Sequence, residues 1–212
     1  MTDSQSAPVS DRRSQLLGIA RRRFVADGYG KTPVSAIVRE AGVAQGTFYL
    51  YFKNKQALLT ELRREVFRDY ASTLHREATR DCPADERLAR VCTAMVEAVA
   101  RNLELERVFR LAESAEETLR VVREGRERLA GVAEQFIEVG RHTGLFRTAD
   151  PRRTAGFVIT LYDNILYEAW VYAPHDIDAI HTASLRFVLQ GVGVAPERVD
   201  ELVAASPGWR HP

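Results

Sequence analysis

The chain is poor in the residues that announce chemistry by themselves. Its two cysteines, Cys82 and Cys92, form no C-x-x-C pair and have no histidine pattern nearby, so structural thiols are the expected reading rather than a metal cage. The five histidines show no ligand spacing. No G-x-S-x-G, H-E-x-x-H or phosphate-cradling glycine loop is present, and no cofactor or metal is implied. An enzyme would have to use Asp163, Glu168, His142 or His175 as acid and base, with nothing but composition to support it. No apolar stretch of 18 or more residues lacks charges, so no membrane partner is expected. The polar start M-T-D-S-Q-S-A-P-V-S does not read as a signal peptide, and the expected location is cytoplasmic. Strand alternation and internal repeats are missing too. Lysine is the scarcest charge: only Lys31, Lys53 and Lys55 occur among 30 Lys and Arg.

What is there begins with an apolar content of 45% in 212 residues, enough for a sizeable core and for one small domain beside a larger one. The net charge of +1 says little, but its distribution says more. Residues 1–60 hold nine Lys and Arg against four Asp and Glu, and the remainder holds 21 against 25. The basic end also carries all three lysines.

Those lysines border the run Thr32 to Lys55, T-P-V-S-A-I-V-R-E-A-G-V-A-Q-G-T-F-Y-L-Y-F-K-N-K, which reads as two short helices around a tight turn. Thr32 is expected to cap the first helix, with Pro33 at its first position and Ile37 and Ala41 on its inner face. Gly42 ends it, and Val43 is the apolar plug between the two helices. On a helical wheel started at Gln45, Phe48 and Phe52 share the core-facing stripe, while Gly46 and Leu50 point the opposite way with Thr47, Tyr51 and Tyr49 at the flanks. A slender outer face of this kind fits a DNA major groove. Lys53 and Lys55 follow where phosphates would lie, with Asn54 as the cap of the next helix.

With R-S-Q-L-L-G-I-A-R-R-R-F-V-A-D-G-Y before this motif and Q-A-L-L after it, Arg13 to Leu59 resembles the N-terminal domain of the TetR family of bacterial transcriptional regulators. The ordered coincidence of a first helix ending in G-Y, the A-G-V turn, T-F-Y-x-Y-F and the following lysine carries the likeness. Arg23 departs from it, standing where the family usually has an apolar residue. The resemblance implies an all-α protein with a helix-turn-helix DNA-binding domain over about residues 10–70, its motif at about 33–52, and a ligand-binding and dimerisation domain over 71–212. It implies a ligand-responsive regulator, by family habit a repressor, that a small hydrophobic molecule releases from an inverted-repeat operator in double-stranded DNA. Thr47, Tyr51, Lys53 and Lys55 are then expected on phosphates, and Gln45, Gly46, Tyr49 and Leu50 near base edges. Ser35 sits where family members often contact DNA. The rival reading is a helical adaptor that has lost DNA binding.

Beyond Lys55 the pattern predicts helices almost to the end. Leu58, Leu62, Val66, Tyr70 and Leu74 step by four along one long helix toward Arg80, which is expected to join the domains and act as their lever. Pro83 breaks it; further helices are expected over about 84–102, 103–112, 116–142, 151–172, 176–191 and 196–204. The segment F-V-I-T-L-Y-D-N-I-L-Y-E-A-W-V-Y is apolar nearly all round, so one side is expected on its own core and another on a second copy in a twofold homodimer. Within it Thr160, Asn164 and Glu168 lie four apart, with Asp163 alongside. They are read either as hydrogen-bonding across the dimer or as facing a ligand cavity. In the second reading the effector pocket would be lined by Phe67, Phe109, Phe136, Tyr162, Asn164 and Tyr167.

Overall fold

Period-3.6 spacing of Leu, Ile, Val and Phe is realised as helix through most of the described residues. The computed structural model describes residues 9–112, 116–171 and 177–206, and among these it contains ten helices and no strand. They are α1 (Val9–Asp27), α2 (Val34–Ala41), α3 (Gln45–Tyr51), α4 (Lys55–Ala78), α5 (Ala84–Arg101), α6 (Leu103–Ala112), α7 (Glu116–His142), α8 (Pro151–Val171), α9 (Ile177–Gly191) and α10 (Pro196–Ala205). The all-α class is as expected. Two helix starts follow directly from their caps: Asn54 Oδ1 accepts from the Ala57 N–H at 2.8 Å, and Asp150 Oδ1 accepts from the Arg153 N–H at 3.0 Å. Gly144, at φ 75°, lies beyond the end of α7 in the left-handed region that glycine tolerates.

The helices fall into two compact units, and the division differs from the expected boundary near residue 70. One unit is Met1–Val66 together with Asn102–Val122; the other is Phe67–Arg101 together with Arg123–Pro212. The division therefore falls inside α4, and α6 with the first turns of α7 belongs to the N-terminal unit. The reason is a buried interface that a periodicity reading does not reveal. Leu105, Val108 and Phe109 of α6 join Leu16, Ala20, Phe24 and Leu62 in the core. The Arg63 guanidinium forms a buried ion pair with Glu106 and lies 4.7 Å above the Phe109 ring. Arg21 donates to Asn102 Oδ1, Gln56 donates to Thr118 Oγ1 at 2.9 Å, and the Thr60 and Thr118 hydroxyls are 3.3 Å apart. Removing either member would break a buried ion pair, so the two stretches of chain depend on each other.

In the second unit α5 packs on α8 and α9, and α10 packs on α9 and α5. Leu88, Val99, Leu129, Phe136, Ile137, Val158, Ile159, Leu185 and Leu189 form much of its interior. Gly125 lets α7 come close to α4: a Cβ there would fall 2.5 Å from the Phe67 ring.

Candidate nucleic-acid interface

The helix-turn-helix geometry is set by its turn. Gly42 adopts φ 65°, ψ 32°; its N–H donates to Arg39 O and the next N–H, of Val43, donates to Val38 O. This is the paired bonding of a Schellman stop, which satisfies the last carbonyls of α2 and redirects the chain into α3. Phe48 and Phe52 are then buried, at 0% and 3% exposure, with ring centroids 5.5 Å apart. Burying both on the inner face turns Gln45, Gly46, Tyr49 and Leu50 to the outside, where all four are exposed; Leu50 reaches 80%. Thr47 and Tyr51 are half-buried at the edges of that face. Ser35 is exposed on α2, and so is Arg39 four residues later on the same side of that helix. Arg39 was missed in the sequence reading, although its spacing from Ser35 was the signal that could have found it. Lys31 and Lys53 are exposed as well.

The expected cap of α2 needs correction. Thr32 does not cap α2; its hydroxyl donates to Gly28 O at 2.9 Å, and Pro33, not Thr32, occupies the cap position. Lys55, expected on a phosphate, is engaged within the protein. Its ammonium donates to Tyr29 O at 2.7 Å and Thr32 O at 2.9 Å and lies 4.3 Å from the Tyr29 ring centroid. Two of its three N–H groups are therefore used inside the protein, and burial lowers its pKa from the usual lysine value. It fixes the loop that follows α1, and Tyr29 Oη extends the arrangement by donating to Gln56 Oε1 at 2.9 Å. Arg23, the departure from the family pattern, is half-buried because it has charged partners: Nε is 2.6 Å from Glu40 Oε2, and Asp27 lies one turn along α1. Glu40 also receives Arg22 at 3.0 Å. The hydrogen bonds from Arg22 and Arg23 hold its carboxyl below the usual range. This bracket ties α1 to α2 behind the reading helix.

The residues expected around an effector have different surroundings. Phe67 is taken up by its packing against Gly125, and Phe109 lies in the first unit under Arg63. Phe136 and Tyr162 are buried in the second unit. Asn164 and Thr160 are exposed on the outer side of α8, while Asp163 pairs with Arg126. The Tyr167 and Glu168 side chains lie outside the described residues, as does His175. A cleft of about 450 Å³ between α5 and α10 is lined by Glu86, Arg90, Thr93, Glu97, Arg198 and Leu202 among others, and by none of the six expected pocket residues. Deeper in the second unit, α5, α8 and α9 enclose four polar side chains that composition could not place together. Thr93 Oγ1 is 3.1 Å from His181 Nε2, and the Tyr162 and His181 rings meet edge to face. Tyr162 Oη has the Cys92 thiol beside it but no formed hydrogen bond, and His181 Nδ1 has none, among the described residues. Burial pushes the Cys92 thiol up to about 12, which makes it inert at neutral pH. No group of three or more His, Cys, Asp or Glu suited to a metal ion occurs among the described residues.

An uncharged helix held outward by a buried aromatic pair, flanked by Arg39, Lys31 and Lys53, is the build of a helix-turn-helix DNA-binding protein. The comparisons with known proteins say which kind. Residues 16–62 match the family described as bacterial regulatory proteins, tetR family, and residues 81–168 match the tetracyclin repressor-like C-terminal domain. The chain belongs to the TetR family and is a DNA-binding transcriptional regulator, as are the relatives it resembles. The fatty acid metabolism regulator protein of Bacillus subtilis is 25% identical over 183 residues, which cover 84% of this chain and 94% of that protein. The transcriptional regulator AcrR of Shigella flexneri is 26% identical over 180 residues, covering 80% and 83%. The crystal structure of FadR from Bacillus subtilis in complex with stearoyl-CoA shares the fold, with a TM-score of 0.71 at 24% identity over 84% of this chain and 98% of that one.

Proposed function

We propose that the protein binds an inverted-repeat operator as a homodimer and is released from it by a small hydrophobic effector. The dimer reading is carried by one observation: Phe157 on α8 and Phe187 on α9 are 72% and 68% exposed. Thr160 and Asn164 continue the exposed side of α8, and Ala179, Ala183 and Gln190 that of α9. Two adjacent helices that present large aromatics among small and neutral residues suit a self-complementary twofold contact, a four-helix bundle across the axis. This favours the reading in which Thr160 and Asn164 face a partner subunit rather than a pocket.

A dimer presents two copies of α3, and a twofold pair of recognition helices reads two half-sites about 34–36 Å apart, hence an inverted repeat. Release requires that the effector bind the state unable to hold DNA more tightly than the competent one. The interior group of Tyr162 and His181 supports an effector with a hydrophobic body and one polar group, because among the described residues both side chains retain unused hydrogen-bonding capacity. The structure of FadR from Bacillus subtilis in complex with stearoyl-CoA, which shares the fold, makes long-chain acyl thioesters the first probes. In a direct test, Phe157→Glu with Phe187→Glu should sediment as a monomer and lose operator affinity. A dimer that persists would refute the interface. An acyl thioester should release the wild type from DNA and act more weakly on Tyr162→Phe; equal release of both would remove Tyr162 from the effector site.

A further inference from the structure

The outer face of α3 carries a base-reading chemistry of its own, and the inference rests on the operator reading above. The helix Q-G-T-F-Y-L-Y has no Arg, Lys, Asn, Asp or Glu. It therefore lacks the bidentate cation that reads guanine O6 and N7 and the carboxylate that accepts from cytosine N4. What it exposes is the Gln45 amide, the bare backbone at Gly46, the Tyr49 ring at 52% exposure and the Leu50 side chain at 80%. Gly46 is the residue one turn before Leu50, and a Cβ added there would meet nothing within 4 Å. The side of α3 that carries Leu50 is thus unobstructed by its own protein.

A leucine exposed to this extent contributes nothing to the core, which Phe48 and Phe52 already fill. In the major groove the one apolar feature on a base edge is the thymine C5-methyl group. A glutamine at the start of the same helix matches the N6 donor and N7 acceptor of adenine. The basic residues lie off this face: Arg39 on α2, Lys31 and Lys53 in the flanking turns. Positive charge is thereby assigned to phosphates and sequence discrimination to an amide and a hydrocarbon.

We propose that Leu50 reads a thymine methyl group and Gln45 an adenine in each half-site, so that α3 selects A·T pairs at these positions by direct contact. The test takes the operator that the full-length protein selects from random duplexes and replaces each thymine in turn by deoxyuridine, which removes only the methyl. At one thymine per half-site the wild type should lose about fourfold in affinity, or about fifteenfold when both half-sites are changed. Fourfold corresponds to about 0.8 kcal/mol for one buried methyl-sized group. Leu50→Ala, which folds normally because the side chain is exposed, should bind the thymine and deoxyuridine operators equally. In parallel, 7-deazaadenine at one adenine should weaken the wild type but not Gln45→Ala. An operator with no methyl-sensitive position, or one whose sensitivity survives Leu50→Ala, overturns the inference while leaving operator binding intact. Failure to select any operator overturns both the inference and the DNA reading on which it rests.

Discussion

Removing Lys55 distinguishes a residue that touches DNA from one that shapes the DNA-reading unit. Two hydrogen bonds from a charged donor at 2.7 and 2.9 Å contribute about 1.5–3 kcal/mol each where water cannot replace them. The ring contact with Tyr29 adds about 0.5–1 kcal/mol at a partly exposed site. Lys55 is half-buried, so water recovers part of this, and Lys55→Met, which keeps the apolar stem, should cost about 2 kcal/mol. For a chain of this length that is a fall in Tm of about 4–8 °C. Lys53→Ala is the control, since Lys53 is exposed. It should leave Tm unchanged and reduce the slope of log affinity against log salt by about 0.9 per phosphate contact, or about 1.8 for a dimer. Circular dichroism melts and salt titrations of operator binding measure the two effects separately. If Lys55→Met melted with the wild type and flattened the salt slope as Lys53→Ala does, the internal role assigned to Lys55 would be wrong.

The buried Arg63–Glu106 pair gives a second contrast, read from urea midpoints. Arg63→Met alone should cost about 3–5 kcal/mol by removing the buried charge partner of Glu106, whereas Arg63→Met with Glu106→Leu should come close to wild type; a single variant losing under 1 kcal/mol would contradict the clasp. His181 makes stability depend on pH. Burial holds its imidazole below its usual pKa of 6.5, outweighing the opposing pull of Asp178, so the unfolded chain takes up a proton before the folded one does. Stability should be complete above pH 6.5 and fall on acidification toward the folded-state value. Denaturation at pH 7.5 and pH 5.5 should show a smaller drop for His181→Gln, and an equal drop would exclude His181 as the source. Gly125→Ala sets the roughly 1 kcal/mol of helix propensity that alanine gains over glycine against an overpacking cost of about 1–3 kcal/mol on the Phe67 ring. A net loss relieved by Phe67→Leu is expected, and a stabilised Gly125→Ala would show that the ring moves aside freely.

The helices and their breaks were legible because each end carries a local signal: Asn54, Asp150, Gly42, Pro83 and Gly144 act on their own neighbours. The outward set on α3 was legible for the same reason, since burying Phe48 and Phe52 fixes the rest of a seven-residue helix. Pairings across the chain were not. Thr32 and Lys55 both carried plausible local roles, yet their partners are Gly28 O and Tyr29 O, set by how the loop after α1 closes onto α4. Arg63 and Glu106 stand 43 positions apart, and periodicity on α4 and α6 gives no hint that they meet. The surroundings of Phe67 and Phe109 were not legible either, because residue type does not decide which unit a side chain enters. His181 passed unnoticed because a lone histidine on an apolar helix has no signature until Thr93 and Tyr162 are brought to it.

The measurement that bears most directly on the central claim is selection of binding sites from a random duplex library by the purified full-length protein, with affinity for the winner followed against salt. An inverted repeat whose half-site centres lie about 10–10.5 base pairs apart, or a multiple of that, is the predicted result. Absence of any enriched sequence, with only weak binding that salt abolishes, would contradict the account of α3 as a sequence reader.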